Sequence, residues 1–301
     1  MSDFNNLEIF YFFQIRRLNG TDPPIPLYLR AMTTAEQVAL VLTDEAMTEP
    51  RTLPFARGHA AVFTTRRPAG DGPNQDACAL FSLDSASGVL AIADGMGGQP
   101  SGDSASRITL QALRDELQRA DGAQPLRAPI LDALERANER VVALGIGAAT
   151  TFAALELTER SLRPYHVGDS EILVVGQRGK VKLQTISHSP VGYAVEAGLL
   201  DEREAMHHDD RHLVSNMVGS SDMRIEVGSP LELASRDTAL LATDGLFDNL
   251  HPDEIVEVVR AGPLERAAGE LARLAARRMA EPTPGRPSKP DDLTFILYRG
   301  F

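Results

Sequence analysis

The chain has 301 residues, 43% hydrophobic and 24% charged, so it can bury a full globular core and is not a disordered chain. Its net charge of −12 argues against nucleic acid, which is bound through lysine and arginine, and against anionic membrane surfaces. With a single cysteine, Cys78, no internal disulfide can form, which fits a cytoplasmic protein.

The most apolar stretch near the start, residues 7–13, is too short to span a bilayer and lacks basic residues ahead of it. Neither a signal peptide nor a membrane span is expected. Pro23, Pro24, Pro26, Pro50 and Pro54 break up residues 1–57, which read as an N-terminal extension with Met32 as an alternative start. Within it, Thr33-Thr34-Ala35-Glu36 has the form of a capping box opening a helix through Val38, Leu40, Val41 and Leu42. Residues 58–301 read as one continuous domain. Strands are expected at 60–65, 77–83 and 89–93. Two amphipathic helices follow at 104–120 and 126–144, the second stopped by Gly145. Strands return at 150–157, 162–167, 172–176 and 180–186, and a loop-rich stretch runs over 188–229. A strand at 237–243, helices from Pro252 and over 264–279, and a last strand at 292–299 complete the chain. Strands and helices segregated in this way predict an α+β fold with sheets packed on each other and helices outside.

Several of these strands stop or start at an aspartate. Val89–Ala93 runs into Asp94-Gly95, Leu240–Thr243 into Asp244-Gly245 and Tyr165–Gly168 into Asp169. Asp76 immediately precedes the strand at 77–83, and Asp291-Asp292 precedes the last strand. Asp-Gly after a strand is also an ordinary turn signal. Five such sites have a second meaning, because carboxylates gathered at the end of an apolar core repel one another unless a cation sits among them. Mg²⁺ and Mn²⁺ favour such oxygen ligands, and a glycine at 95 would let a main-chain carbonyl approach. The run His207-His208-Asp209-Asp210-Arg211-His212 has neither helical nor zinc-type spacing and reads as a solvated loop. Cys78, inside an apolar run, reads as a buried thiol.

Asn74-Gln75-Asp76-Ala77, Ala93-Asp94-Gly95-Met96-Gly97-Gly98, Ala149-Thr150-Thr151, Val167-Gly168-Asp169-Ser170, Ala242-Thr243-Asp244-Gly245-Leu246 and Asp291-Asp292-Leu293-Thr294 together resemble, in order, the motif series of the metal-dependent protein phosphatase 2C family, its bacterial branch above all. The resemblance implies a β-sandwich of two antiparallel sheets flanked by helices. It also implies two Mn²⁺ or Mg²⁺ ions and hydrolysis of phosphoserine and phosphothreonine in proteins by a hydroxide bridging the metals. By the same resemblance Asp94 bridges the ions, the Gly95 carbonyl joins the second, and Asp244 and Asp291 hold the first. Asp76 stands in or near the shell behind the second ion, and Asp169 with Asp244 forms a weaker third site. Residues 188–219 resemble the family's flap and the stretch after it. Gln75 stands where many relatives carry a glutamate, Met96 where animal members carry a histidine, and Arg67 is the candidate for the phosphate-binding arginine. The implied partners are phosphorylated Ser/Thr proteins and an opposing Ser/Thr kinase, with a monomeric enzyme expected. Two other readings stay open at this level: a pseudophosphatase-like binding or sensing module, and a phosphatase of small phosphorylated metabolites.

Overall fold

A computed structural model describes residues 39–96, 101–120 and 125–300. In chain order its strands and helices begin with β1 (Ala39–Thr43), β2 (Arg51–Phe55), β3 (Gly58–Thr65), β4 (Ala77–Ser82), β5 (Gly88–Ala93), β6 (Gly95–Met96), α1 (Gly102–Arg119) and α2 (Arg127–Val142). There follow β7 (Ala149–Thr150), β8 (Phe152–Leu157), β9 (Ser161–Val167), β10 (Glu171–Val175), β11 (Val181–Gln184), α3 (Pro190–Glu196) and α4 (Glu202–Ala205). The chain ends in β12 (Glu226–Val227), β13 (Leu231–Glu232), β14 (Thr238–Ala242), α5 (Asp244–Phe247), α6 (Pro252–Val259), α7 (Leu264–Ala280) and β15 (Leu293–Gly300).

Two antiparallel sheets carry the fold. One runs β1-β4-β5-β8-β9-β12, with β13 also on β9; the other runs β11-β10-β14-β15-β3-β2. Leu42, Leu80, Leu90, Ile92, Leu155, Val174, Leu241 and Ile296 fill the space between them. On the outer face of the first sheet, Val89, Ala91 and Ala93 pack against Leu110, Leu113 and Leu117 of α1 and Ile130 and Leu134 of α2. On the outer face of the second, Leu240, Phe295 and Leu297 pack against Ile255 of α6 and Leu271 and Ala275 of α7. Both faces of the central strands are therefore dry, while the edge strands β2 and β11 stay exposed. That is why β5 reads as an unbroken apolar run rather than an alternating one. Each large side chain buried this way contributes roughly 1.5–3 kcal/mol. This is the β-sandwich flanked by helices that the motif series implied.

Two expectations are corrected. The helix expected through Leu40, Val41 and Leu42 is not formed: Ala39–Thr43 is the edge strand β1, with Leu40 opposite Leu80 and Leu42 opposite Cys78. Leu40 and Leu42 point into the core between the sheets while their neighbours stay half-buried, a period of two that only a strand satisfies. Thr33-Thr34-Ala35-Glu36 and Met32 lie outside the described residues. The boundary at 57/58 also moves, because β1 pairs with β4 and β2 pairs with β3 along its whole length. Residues 39–57 thus belong to the sandwich. The stretch over 188–229 holds α3, α4 and a 3₁₀ turn at Asp209–His212. His208 and His212 there bond to neighbouring main chain and stay at the surface, as a solvated loop should.

Candidate metal centre

Sheet register brings the aspartates to one end of the sandwich. Ala77 lies opposite Ala93, so Asp76 and Asp94 leave the β4–β5 pair side by side. Glu171 lies opposite Ala242, and Ala242 opposite Phe295, so Asp169, Asp244 and Asp291 leave the same end of the other sheet. Thr243 joins the two sheets at this point: its hydroxyl donates to Asp76 Oδ2 at 3.0 Å and accepts the Thr294 N–H at 3.1 Å. Below it the Thr64 and Thr294 hydroxyls meet at 2.7 Å, and the Asn74 amide donates to Thr64 at 2.9 Å.

Ala149-Thr150-Thr151 holds the Asp94 main chain. The Thr150 hydroxyl and the Thr151 N–H donate to the Asp94 carbonyl at 2.7 and 2.9 Å, and the Asp94 N–H donates to Thr151 Oγ1 at 3.1 Å. Only glycine fits at 95, since a Cβ there would stand 2.2 Å from the Gly102 carbonyl oxygen and 2.7 Å from that of Gln75. The same holds at 245, where a Cβ would meet the Asp292 carbonyl oxygen at 1.9 Å.

The electrostatics are those of a site short of positive charge. Burial, then Asp292, Asp244 and Asp291, raise the Asp76 carboxyl well above the carboxylate range. Burial, then Asp76, Asp244, Asp169 and Asp291, do the same to Asp94. Asp169 is pushed up to about 8 by burial and by Asp244 and Asp248. Asp291 and Asp248 are each pushed up to about 6 by burial and by Asp244, against the pull of Lys289. Asp244 Oδ1 is buried without a hydrogen-bond partner. Buried carboxylates that raise one another's pKa, with an orphaned oxygen among them, form a donor set suited to hard divalent cations. The residues therefore fit the implied metals.

Arg67 reaches the cluster through its main chain: its N–H donates to Asp292 Oδ1 at 2.7 Å, while its exposed side chain packs over Gly70. The Gln75 N–H donates to the other Asp292 oxygen at 2.7 Å. Asp292 is thus the anchor of the loop before Asp76. Asp248 and Lys289 were not read from the sequence as site residues. Asp248 had a signal, since it follows Asp244 by four residues, one turn on at the C-cap of α5. Lys289, in a proline-rich loop, had none. Its ammonium contacts Asp244 and lies 2.9 Å from Asp248 and 3.3 Å from Asp291.

A cavity of about 260 Å³ opens beside the aspartates, with Asp169, Asp244 and Asp248 on one wall and Val191, Met206 and Arg211 of the flap on the other. His188 ties the flap to the site. Its Nδ1 accepts the Gly168 N–H at 3.0 Å and the Asn216 amide at 2.9 Å, which leaves its Nε2–H to donate to Glu226 at 3.1 Å. His166, His188 and Glu226 lie close enough to suggest a metal group. The two donors on Nδ1 keep the proton on Nε2, so this nitrogen has no lone pair for a cation.

The sequence profile of the protein phosphatase 2C family matches residues 65–277. A protein phosphatase 2C-type protein of Streptococcus pyogenes is 31% identical over 194 residues, covering 62% of this chain and 78% of that one. The solved serine/threonine phosphatase of S. agalactiae superposes with a TM-score of 0.70 at 27% identity, over 80% of this chain and 99% of that one. The fold is shared as well by the catalytic domain of the serine/threonine phosphatase PstP, solved in complex with two manganese ions (TM-score 0.63, 24% identity, 80% and 96% covered). The chain belongs to the protein phosphatase 2C family. It is a metal-dependent serine/threonine protein phosphatase, and its substrates are phosphorylated proteins.

Proposed function

We propose that Asp94, Asp244 and Asp291, with the Gly95 carbonyl and with Asp76 behind them, hold the two catalytic ions, and that Asp169 with Asp244 holds a weaker third. The convergence of these residues from two sheets around the orphaned Asp244 Oδ1 supports this reading. When bound, such ions supply an activated water and neutralise phosphoryl charge. The chain's own residues do the rest. The Thr150–Thr151 bonds fix where Asp94 points, and the flap wall of the cavity receives the peptide around the phosphorylated residue. Arg67, one peptide bond from Pro68 and anchored by Asp292, is the arginine placed to meet the phosphate once its side chain turns inward. Met96 has no proton to give the leaving oxygen, so that position takes no part as an acid.

The opposing partner is a Ser/Thr kinase, since such an enzyme makes the phosphoproteins this one consumes. We place the enzyme in the cytoplasm as a monomer; no helix among the described residues is long and apolar enough to cross a membrane. The test is Mn²⁺-stimulated release of phosphate from a phosphothreonine peptide. Asp94→Asn and Asp244→Asn should each lower turnover by roughly 100-fold or more, beyond what loss of an outer-shell partner costs. Turnover that ignores added metal, or survives both substitutions, overturns the assignment.

A further inference from the structure

Lys289 supplies the positive charge that the aspartate cluster otherwise lacks. Its ammonium contacts Asp244 and stands 2.9 Å from Asp248 Oδ2 and 3.3 Å from Asp291 Oδ2, with the side chain only 22% exposed. Two of these three carboxylates are the proposed ligands of the first ion. Nothing about this placement is left to a loose surface loop. Asn249, fully buried, accepts the Lys289 N–H at 2.8 Å and donates its amide to the Lys289 carbonyl at 2.8 Å. The same amide donates to the Gly245 carbonyl at 3.0 Å, so the lysine main chain is clamped to the helix that carries Asp244 and Asp248. The Ser288 hydroxyl, donating to the Arg278 carbonyl at 2.9 Å, pins the residue before it to α7.

From this geometry we infer that Lys289 is a built-in counter-ion that occupies the Asp244/Asp248/Asp291 corner in the metal-free protein and is displaced when Mn²⁺ or Mg²⁺ binds. The inference rests on the metal-centre reading above. One ammonium among three carboxylates leaves the corner negative, so it still draws a divalent cation. Entry of the ion requires those ion pairs to break, and the flexible four-carbon stem lets the ammonium swing to solvent while Asn249 keeps the main chain in place. The lysine therefore holds the ligands together before loading, and it raises the metal concentration at which loading occurs.

Two measurements on the full chain test this. In calorimetric titration with MnCl₂, Lys289→Met should bind Mn²⁺ at least about tenfold more tightly than the natural chain at equal ionic strength. In the natural chain, acetylation of Lys289 by an amine-reactive reagent, followed by mass spectrometry, should be slow without metal and several-fold faster at saturating Mn²⁺. If the substituted chain does not fold, the labelling result on the natural chain decides. Equal affinities together with unchanged labelling overturn the role of Lys289 and leave the metal centre standing. A natural chain that takes up no Mn²⁺ overturns the metal-centre reading and this inference with it.

Discussion

Thr243 makes one hydroxyl serve both sheets, giving its proton to Asp76 and taking one from the Thr294 main chain. Thr243→Val keeps the shape and removes both bonds, leaving Asp76 buried beside Asp292 with one donor fewer. Loss of such an outer partner should weaken Mn²⁺ binding by about tenfold; calorimetry giving the natural affinity would refute the role assigned to Thr243. Gly245→Ala tests the packing under the same corner. Its Cβ would stand 1.9 Å from the Asp292 carbonyl oxygen, so main chain must move. A cost of about 1–3 kcal/mol is expected, read as a lower denaturant midpoint at unchanged slope. At this scale the aspartates were legible in the sequence, because each ends or begins a short apolar run and five such edges recur in one chain. Lys289 and Asp292 were not. What each does depends on which residues face it across the sheet end, and Arg67 and Gln75 meet Asp292 only after more than 200 residues of intervening chain have folded.

The first strand was misread because a run such as Ala-Leu-Val-Leu-Thr suits a helix or a strand equally, and a neighbouring capping pattern tips the choice; the second was hidden by Pro50 and Pro54, which read as breaks. The partner that decides, β4, lies about 40 residues away. Once placed, these strands do more than close the sheet edges. Asp44, after β1, accepts the Asn74 N–H at 3.1 Å, and the Glu45 carbonyl accepts the Asn74 amide at 2.9 Å. Asn74 in turn accepts the Asp76 N–H at 3.0 Å. The β1–β2 connection thus helps set the approach to the metal centre. A chain starting at Gly58 loses Leu40, Leu42 and Phe55 from the inter-sheet core together with these bonds. It should show no cooperative thermal transition; a sharp transition in calorimetry would restore the 57/58 boundary. The helices and inner strands, by contrast, were legible because their apolar spacing is long and regular enough to admit one answer, as with Leu110, Leu113 and Leu117 on α1.

For the molecule as a whole, acidity is concentrated where it is least tolerable, and this predicts how stability follows pH. Asp169 is held up to about 8 by burial and its neighbours, and Glu171 to about 7 by burial, with Asp248 and Glu202 adding to it against the Gln184 bond. A carboxyl with a raised folded pKa stabilises the fold while it keeps its proton. That contribution is complete below the unfolded value of about 4 and is lost as pH rises through the folded value. His166 and His251 are both shifted downward by burial, so the unfolded chain binds more protons at these positions and they offset part of the loss at the lower end of the pH range. In EDTA the protein should therefore lose on the order of 1–2 kcal/mol between pH 6.5 and 8.5, a fall of a few degrees in melting temperature. Saturating Mn²⁺ should remove the Asp169 share of the dependence, since a carboxylate on a cation stays ionised throughout, and leave the smaller Glu171 share. Melting curves at both pH values, with EDTA and with Mn²⁺, separate the cases. A metal-free melting temperature that climbs with pH would mean that the aspartates are not pressed together as the sheet ends place them.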